Sequence, residues 1–147
     1  MTTSTDPLDQ LNPFSLLMDA RHQLFTIVQA IVADQPDRVA TALGAVVAHD
    51  LALREIALAY ADGERTFDGV TPPDARAIHA TFEDAQAARN ALFEAFSTAG
   101  TDFATEVLVP WAGTETWHIH LIGLAMFEGA QAHALREGDP VPARLGR

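Results

Sequence analysis

The stretch Thr114 to Gly138, TETWHIHLIGLAMFEGAQAHALREG, reads as one long helix and decides how the rest of the chain is arranged. Within it Trp117, Leu121, Leu124, Glu128, Gln131 and Leu135 recur at spacings of four and three, which lays them along one side of a helix. A carboxylate and an amide therefore stand on a face otherwise built for burial. Burying either is costly unless it finds a partner, so this face holds an internal hydrogen-bond network or a site. Thr114 or Thr116 suits the N-cap, and Gly138 with Pro140 and Pro142 supplies the stop.

Upstream, Thr101 to Gly113 contains Val107, Leu108, Val109, Pro110 and Trp111, too apolar for an exposed loop and too short for a sheet of its own. The expectation is an extended crossover packed on helices. Before it, Thr71, Pro72 and Pro73 open a third helix that lasts to about Thr98, ahead of Gly100. Ala75, Ile78, Phe82, Ala85, Ala88, Leu92 and Phe96 form its packing stripe, with no polar member. Glu83, Asp84 and Arg89 are expected on its solvated face, with His79 at the boundary.

The second helix spans about Asp37 to Asp62 and is stopped by Gly63. Its stripe, Val39, Leu43, Val46, His49, Leu53 and Ile56, turns His49 inward. A lone inward histidine is ordinarily a core residue bonded to a carboxylate or carbonyl; beside a second polar group it can serve as a general base. Asn12 followed by Pro13 starts a first helix that runs to about Asp34, with Leu17, Leu24, Val28 and Ile31 buried and His22 solvated. The short link from Gln35 to Asp37 sends the second helix back antiparallel. Residues 1 to 10 read as a loose tail of a single domain covering 1 to 147.

A chain of 147 residues, 48% hydrophobic, can bury a core without staples. With no cysteine, disulfides, CxxC motifs and a protein thiol nucleophile are excluded. All nine basic residues are arginines, so a Schiff-base lysine is excluded as well. The net charge of −11 repels phosphate backbones, which argues against nucleic acid. Apolar runs are broken well short of a membrane span, and the first ten residues lack the pattern of a secretion signal. No membrane partner and a cytoplasmic location are the expectations.

An inward histidine in AVVAHDLALRE, the crossover VPWAGT and the helix segment FEGAQAHALREG, in that order, resemble the DinB-like superfamily, in particular the branch of mycothiol-dependent maleylpyruvate isomerases. The resemblance implies an all-α four-helix bundle with a long connection between helices 3 and 4. It also implies a divalent metal, zinc or nickel, held by one histidine of the second helix and two ligands four residues apart on the fourth. His49 matches the first of these. The other two positions are Leu124 and Glu128, followed by Gln131 in place of the family's Gln or Asp. The resemblance thus leaves His49 and Glu128 as the metal ligands if a metal is bound. His120 stands eight residues from Glu128, roughly 12 Å along the axis, too far to complete the set.

Three functional readings follow. The preferred one is a small-molecule-binding DinB-like protein with an altered interior metal site. In it His49 and Glu128 form a carboxylate-oriented general base, His120 and Gln131 bond a ligand, and Trp111 and Trp117 line the pocket. The alternative is a metal- and mycothiol-dependent isomerase or transferase. A further alternative is a non-catalytic helper that forms a homodimer through an apolar patch from Leu108 to Trp111.

Overall fold

The computed structural model describes residues 11–76 and 78–143, with the side chains at 75 and 76 excepted; the expected loose tail, 1 to 10, lies outside them. Four α-helices, a short 3-10 turn and a two-stranded hairpin make up the described chain. The all-α expectation is met by the helices, with the hairpin added.

Helix α1 (Pro13–Ile31) begins as the sequence predicts: the Asn12 side chain accepts from the amides of Phe14 at 2.9 Å and Ser15 at 3.3 Å. It buries Leu17, Ala20, Leu24 and Val28 and leaves His22 exposed. Helix α2 (Pro36–Ala61) buries every member of its predicted stripe, His49 included. Gly44 is required by a close approach: a Cβ there would sit 1.5 Å from the carbonyl oxygen of Ile78. The chain crosses α2 at that point, where the amide of Ala80 donates to the carbonyl of Ala40 at 3.1 Å.

The third helix differs from expectation. A 3-10 turn occupies Pro73–Arg76, and α3 (Phe82–Ala99) starts only at Thr81, whose side chain and that of Asp84 form a reciprocal capping box. That cap, with the crossing over Gly44, outweighs the helical spacing of the preceding residues. Ile78, expected in the stripe, is 43% exposed, and Ala75 is among the side chains not described.

The expected extended crossover is instead an antiparallel hairpin. Strands β1 (Glu106–Val109) and β2 (Gly113–Thr116) pair Glu106 with Thr116 and Val109 with Gly113. The alternation buries Val107 and Val109 against the helices and leaves Leu108 outside, so a partner strand satisfies the backbone that a single extended run would strand. Thr116 then caps α4 (Trp117–Glu137), accepting from the Ile119 amide at 3.2 Å, and Gly138 closes it at φ 77°.

Helix α1 packs on α4 and α2 on α3, while α2 also meets α4. Ring contacts between Phe14 and Phe93 and between Phe25 and Phe82 place α1 and α3 antiparallel across from one another. The apolar interior falls into two clusters. One, at the hairpin end, gathers Leu17, Leu53, Leu92, Leu121, Leu124 and Trp117. The other gathers Leu24, Val28, Leu43, Val46, Ala85 and Phe127. Among the described residues, no helix is long and apolar enough to cross a membrane.

Candidate functional site

Between the two apolar clusters each helix contributes one buried or largely buried charged side chain. Arg21 comes from α1, Asp50 from α2, Arg89 from α3 and Glu128 from α4. Each sits in the repeat that buries its neighbours: Leu17, Arg21, Leu24; Val46, Asp50, Leu53; Ala85, Arg89, Leu92; Leu124, Glu128, Gln131. Asp50 and Glu128 are wholly shut off from solvent, and Arg89 is 6% exposed.

The four groups bond to one another. Glu128 Oε1 accepts from Arg89 Nη2 at 2.5 Å, and Oε2 accepts from Arg21 Nε at 2.5 Å. Arg89 Nε donates to both Asp50 oxygens at 3.2 Å, and Arg21 Nη2 stands 3.9 Å from Asp50 Oδ2. Arg21 Nη1 donates to Gln86 Oε1. Two positive and two negative charges compensate one another, which is how charges this deeply buried are tolerated. Burial pushes the Asp50 carboxyl up to about 6, opposed by the Arg89 guanidinium. Burial also works against the charge on Arg89, but Asp50 and Glu128 outweigh it and hold the guanidinium above its ordinary value.

Glu128 is therefore buried on the expected face, but its carboxylate belongs to the two arginines and does not orient His49. His49, next to Asp50 in the chain, is buried in bonding of its own: its Nδ1 lies 2.7 Å from the Ala45 carbonyl, and its ring centroid is 4.0 Å from that of Phe127, tilted by 32°. Burial lowers its pKa against the pull of that carbonyl and of Asp74. His120 is also buried and neutral-favouring, with Nε2 2.9 Å from the Val107 carbonyl of the hairpin and burial lowering its pKa. Gln131 donates to the Pro142 carbonyl at 2.5 Å; its Oε1 is the one fully buried side-chain oxygen or nitrogen without a partner among the described residues. Trp117, 1% exposed, is a core residue against Phe96 and His120, and Trp111 is half-buried on the same cluster. With Val107 and Val109 buried and Trp111 partly so, Leu108 is the large apolar side chain that the expected Leu108–Trp111 patch exposes.

The residues do not fit a divalent metal. Leu124 offers no donor, both Glu128 oxygens are taken by guanidinium groups, and an ion there would sit beside two cations. Among the described residues, no three His, Asp or Glu side chains converge to hold an ion.

What opens onto the ionic cluster is a groove of about 500 Å³ between α1 and α3. Phe14, Met18, Phe25, Phe82 and Phe93 supply its apolar wall, and Arg21 and Arg89 reach it from beneath. Gln86 and Asn90 lie along the α3 side and His22 along the α1 side. The six residues proposed from sequence, His49, Glu128, His120, Gln131, Trp111 and Trp117, do not line it. Arg21, Asp50 and Arg89 were missed, Arg89 having been assigned to a solvated face. The signal that marks them is a charged residue at a buried position of the four-three repeat, present once in each helix with charges that sum to zero.

No family model, no curated protein and no solved structure matches the chain.

Proposed function

We propose that the chain binds a small molecule in the groove between α1 and α3, without a metal. The observation that carries this reading is the groove itself: its volume of about 500 Å³ falls in the range of small-molecule sites, and its walls are aromatic over a polar floor. Binding is favoured over a reaction at His49 and Glu128, because both oxygens of Glu128 are engaged and neither residue lines the groove. The DinB-like four-helix bundle belongs to the same proposal. In its support stand four helices and charged groups on α2 and α4 at the level where the resemblance puts a cation; the link before α4, 100–116, is long and carries the hairpin, although the link before α3, 62–81, is longer still.

The test uses N-phenyl-1-naphthylamine, an uncharged aromatic probe whose fluorescence rises in apolar surroundings. One molecule is expected to bind per chain, and Phe25→Ala and Phe82→Ala are each expected to weaken it while far-ultraviolet circular dichroism stays native. No saturable binding, or binding indifferent to both substitutions, overturns the proposal.

A further inference from the structure

We infer that the groove takes an elongated amphipathic anion, its acidic head on the guanidinium floor and its apolar tail running past Phe14 and Phe93 into a second hollow. This rests on the binding reading above and adds the ligand's chemistry to it.

The floor decides the head. Asp50 and Glu128 lie beneath the arginines and do not line the groove, so a ligand meets the guanidinium side of the cluster and not its carboxylates. Every donor of Arg21 used in the cluster is committed to Glu128, Asp50 or Gln86. Arg89 bonds through Nε and Nη2, leaving Nη1 without a described partner. That nitrogen is not among the sealed atoms lacking a partner, so it reaches open space, and Arg89 lines the groove. Gln86, whose oxygen accepts from Arg21, also lines the groove, and its amide nitrogen can only donate. A carboxylate or phosphate-like acceptor complements such a donor set, and an ammonium does not.

The aromatic path decides the tail. A second hollow of about 280 Å³, lined by Phe96, Ser97 and Phe103 among others, shares Phe14 and Phe93 with the groove. Phe14 meets Phe93 and Phe103 edge-on at 5.7 and 5.2 Å and remains 38% exposed, so it divides the two spaces from an exposed position. From Arg89 to Phe96 is seven residues of α3, about 10 Å along the axis. A compact ligand would fill the groove alone; a chain reaching that far also covers the second aromatic lining.

The experiment titrates the native chain with hexanoate, octanoate, decanoate and dodecanoate, with decan-1-ol as the headless control, and follows displacement of N-phenyl-1-naphthylamine. Affinity is expected to rise about fourfold per added methylene and then level off, the ratio following from ~0.8 kcal/mol per buried CH₂. Decanoate is expected to bind more tightly than decan-1-ol. Asn90→Glu, which places a carboxylate beside Arg89 from an exposed position, is expected to lower the decanoate-to-decanol affinity ratio by about threefold to tenfold. Ser97→Trp, filling the second hollow, is expected to bring decanoate affinity down toward that of hexanoate. Equal binding of acid and alcohol, with Asn90→Glu leaving their ratio unaltered, overturns the anionic head. Affinity that stops rising at hexanoate overturns the second hollow. If the neutral probe binds and no carboxylate displaces it, this inference fails and the groove survives; if the neutral probe does not bind, the underlying reading fails. A chain that dimerises on light scattering and loses probe binding as it does so assigns the groove to a second copy and overturns both.

Discussion

The ionic layer has a sealed side and an open side, and the two carry opposite charge. On the α2 and α4 side Asp50 and Glu128 are 0% exposed and bond only to arginines. On the α1 and α3 side the Arg21 and Arg89 side chains are 11% and 8% exposed and border the groove. The aliphatic stems of arginine allow this: they cross apolar surroundings while the planar head reaches both a buried carboxylate and the edge of a cavity. The lesson is that one balanced cluster can be structural from one side and present donors from the other.

The sharpest way to break the contrast is Arg89→Ala, which touches both sides. It leaves two buried carboxylates, Asp50 and Glu128, sharing the single guanidinium of Arg21, and a loss of about 3–5 kcal/mol is expected from urea denaturation. A loss under about 1 kcal/mol would show the layer to be better hydrated than its burial implies.

Next comes a matched pair of phenylalanines. Phe127→Ala, on the sealed side against His49, is expected to cost about 3–5 kcal/mol. Phe25→Ala, on the groove wall and partly exposed, is expected to cost less, about 1–2 kcal/mol. Equal losses by chemical denaturation would mean that the groove is closed in solution.

Gly44→Ala tests the sealed side at the backbone. The added carbon meets the Ile78 carbonyl at 1.5 Å, so the crossing segment must move, and the denaturation midpoint is expected to fall by an amount worth about 1–3 kcal/mol. A smaller gain is expected in the opposite direction from Gln131→Met. Removing the orphaned Oε1 while keeping the volume should stabilise by up to about 1 kcal/mol, provided the lost bond to Pro142 is the lesser term; a loss above that places an ordered partner on Oε1.

The smallest effect is a pH dependence. Burial keeps His120 below its ordinary pKa, so as pH falls the unfolded chain takes the proton first. Its contribution is present above about pH 6.5 and is lost as pH falls toward the folded value. Glu115, the charged group facing it from β2, opposes the shift. His120→Gln is therefore expected to lose less melting temperature than the native chain between about pH 7 and about pH 5. His49 keeps part of the slope through the same sign, whereas Asp50, raised to about 6, contributes in the opposite sense below that pH. An unaltered slope in His120→Gln would assign the titration elsewhere.

Much of the fold was legible because it is local. Asn12, Thr116 and Gly138 mark helix ends through bonds to residues a few positions away, and the α2 stripe is a property of spacing alone. The start of α3 was misplaced because Pro72 and Pro73 suit a helix opening, yet the stronger cap at Thr81 and the tight crossing over Gly44 lie further on. The hairpin was missed because its two strands satisfy each other and neither satisfies itself. At the site, reading α4 alone exposed Glu128 and Gln131 as polar residues on a buried face, which was correct for both. It did not reveal Arg21, Asp50 and Arg89, because a charge in a stripe looks like an interruption until its counterpart on another helix is known.

By itself, then, the sequence determined that four helices form, where most of them end, which stripe α2 buries, and that α4 carries polar groups inward. These follow from periodicity and capping, whose range is one or two helical turns. Only the tertiary structure decided that Glu128 pairs with arginines and not with His49, that Trp117 is core, and that the opening lies between α1 and α3. Those outcomes depend on distances between residues as far apart as Arg21 and Glu128, 107 positions along the chain. Such distances are fixed by how the helices pack, and no spacing within a single helix encodes them.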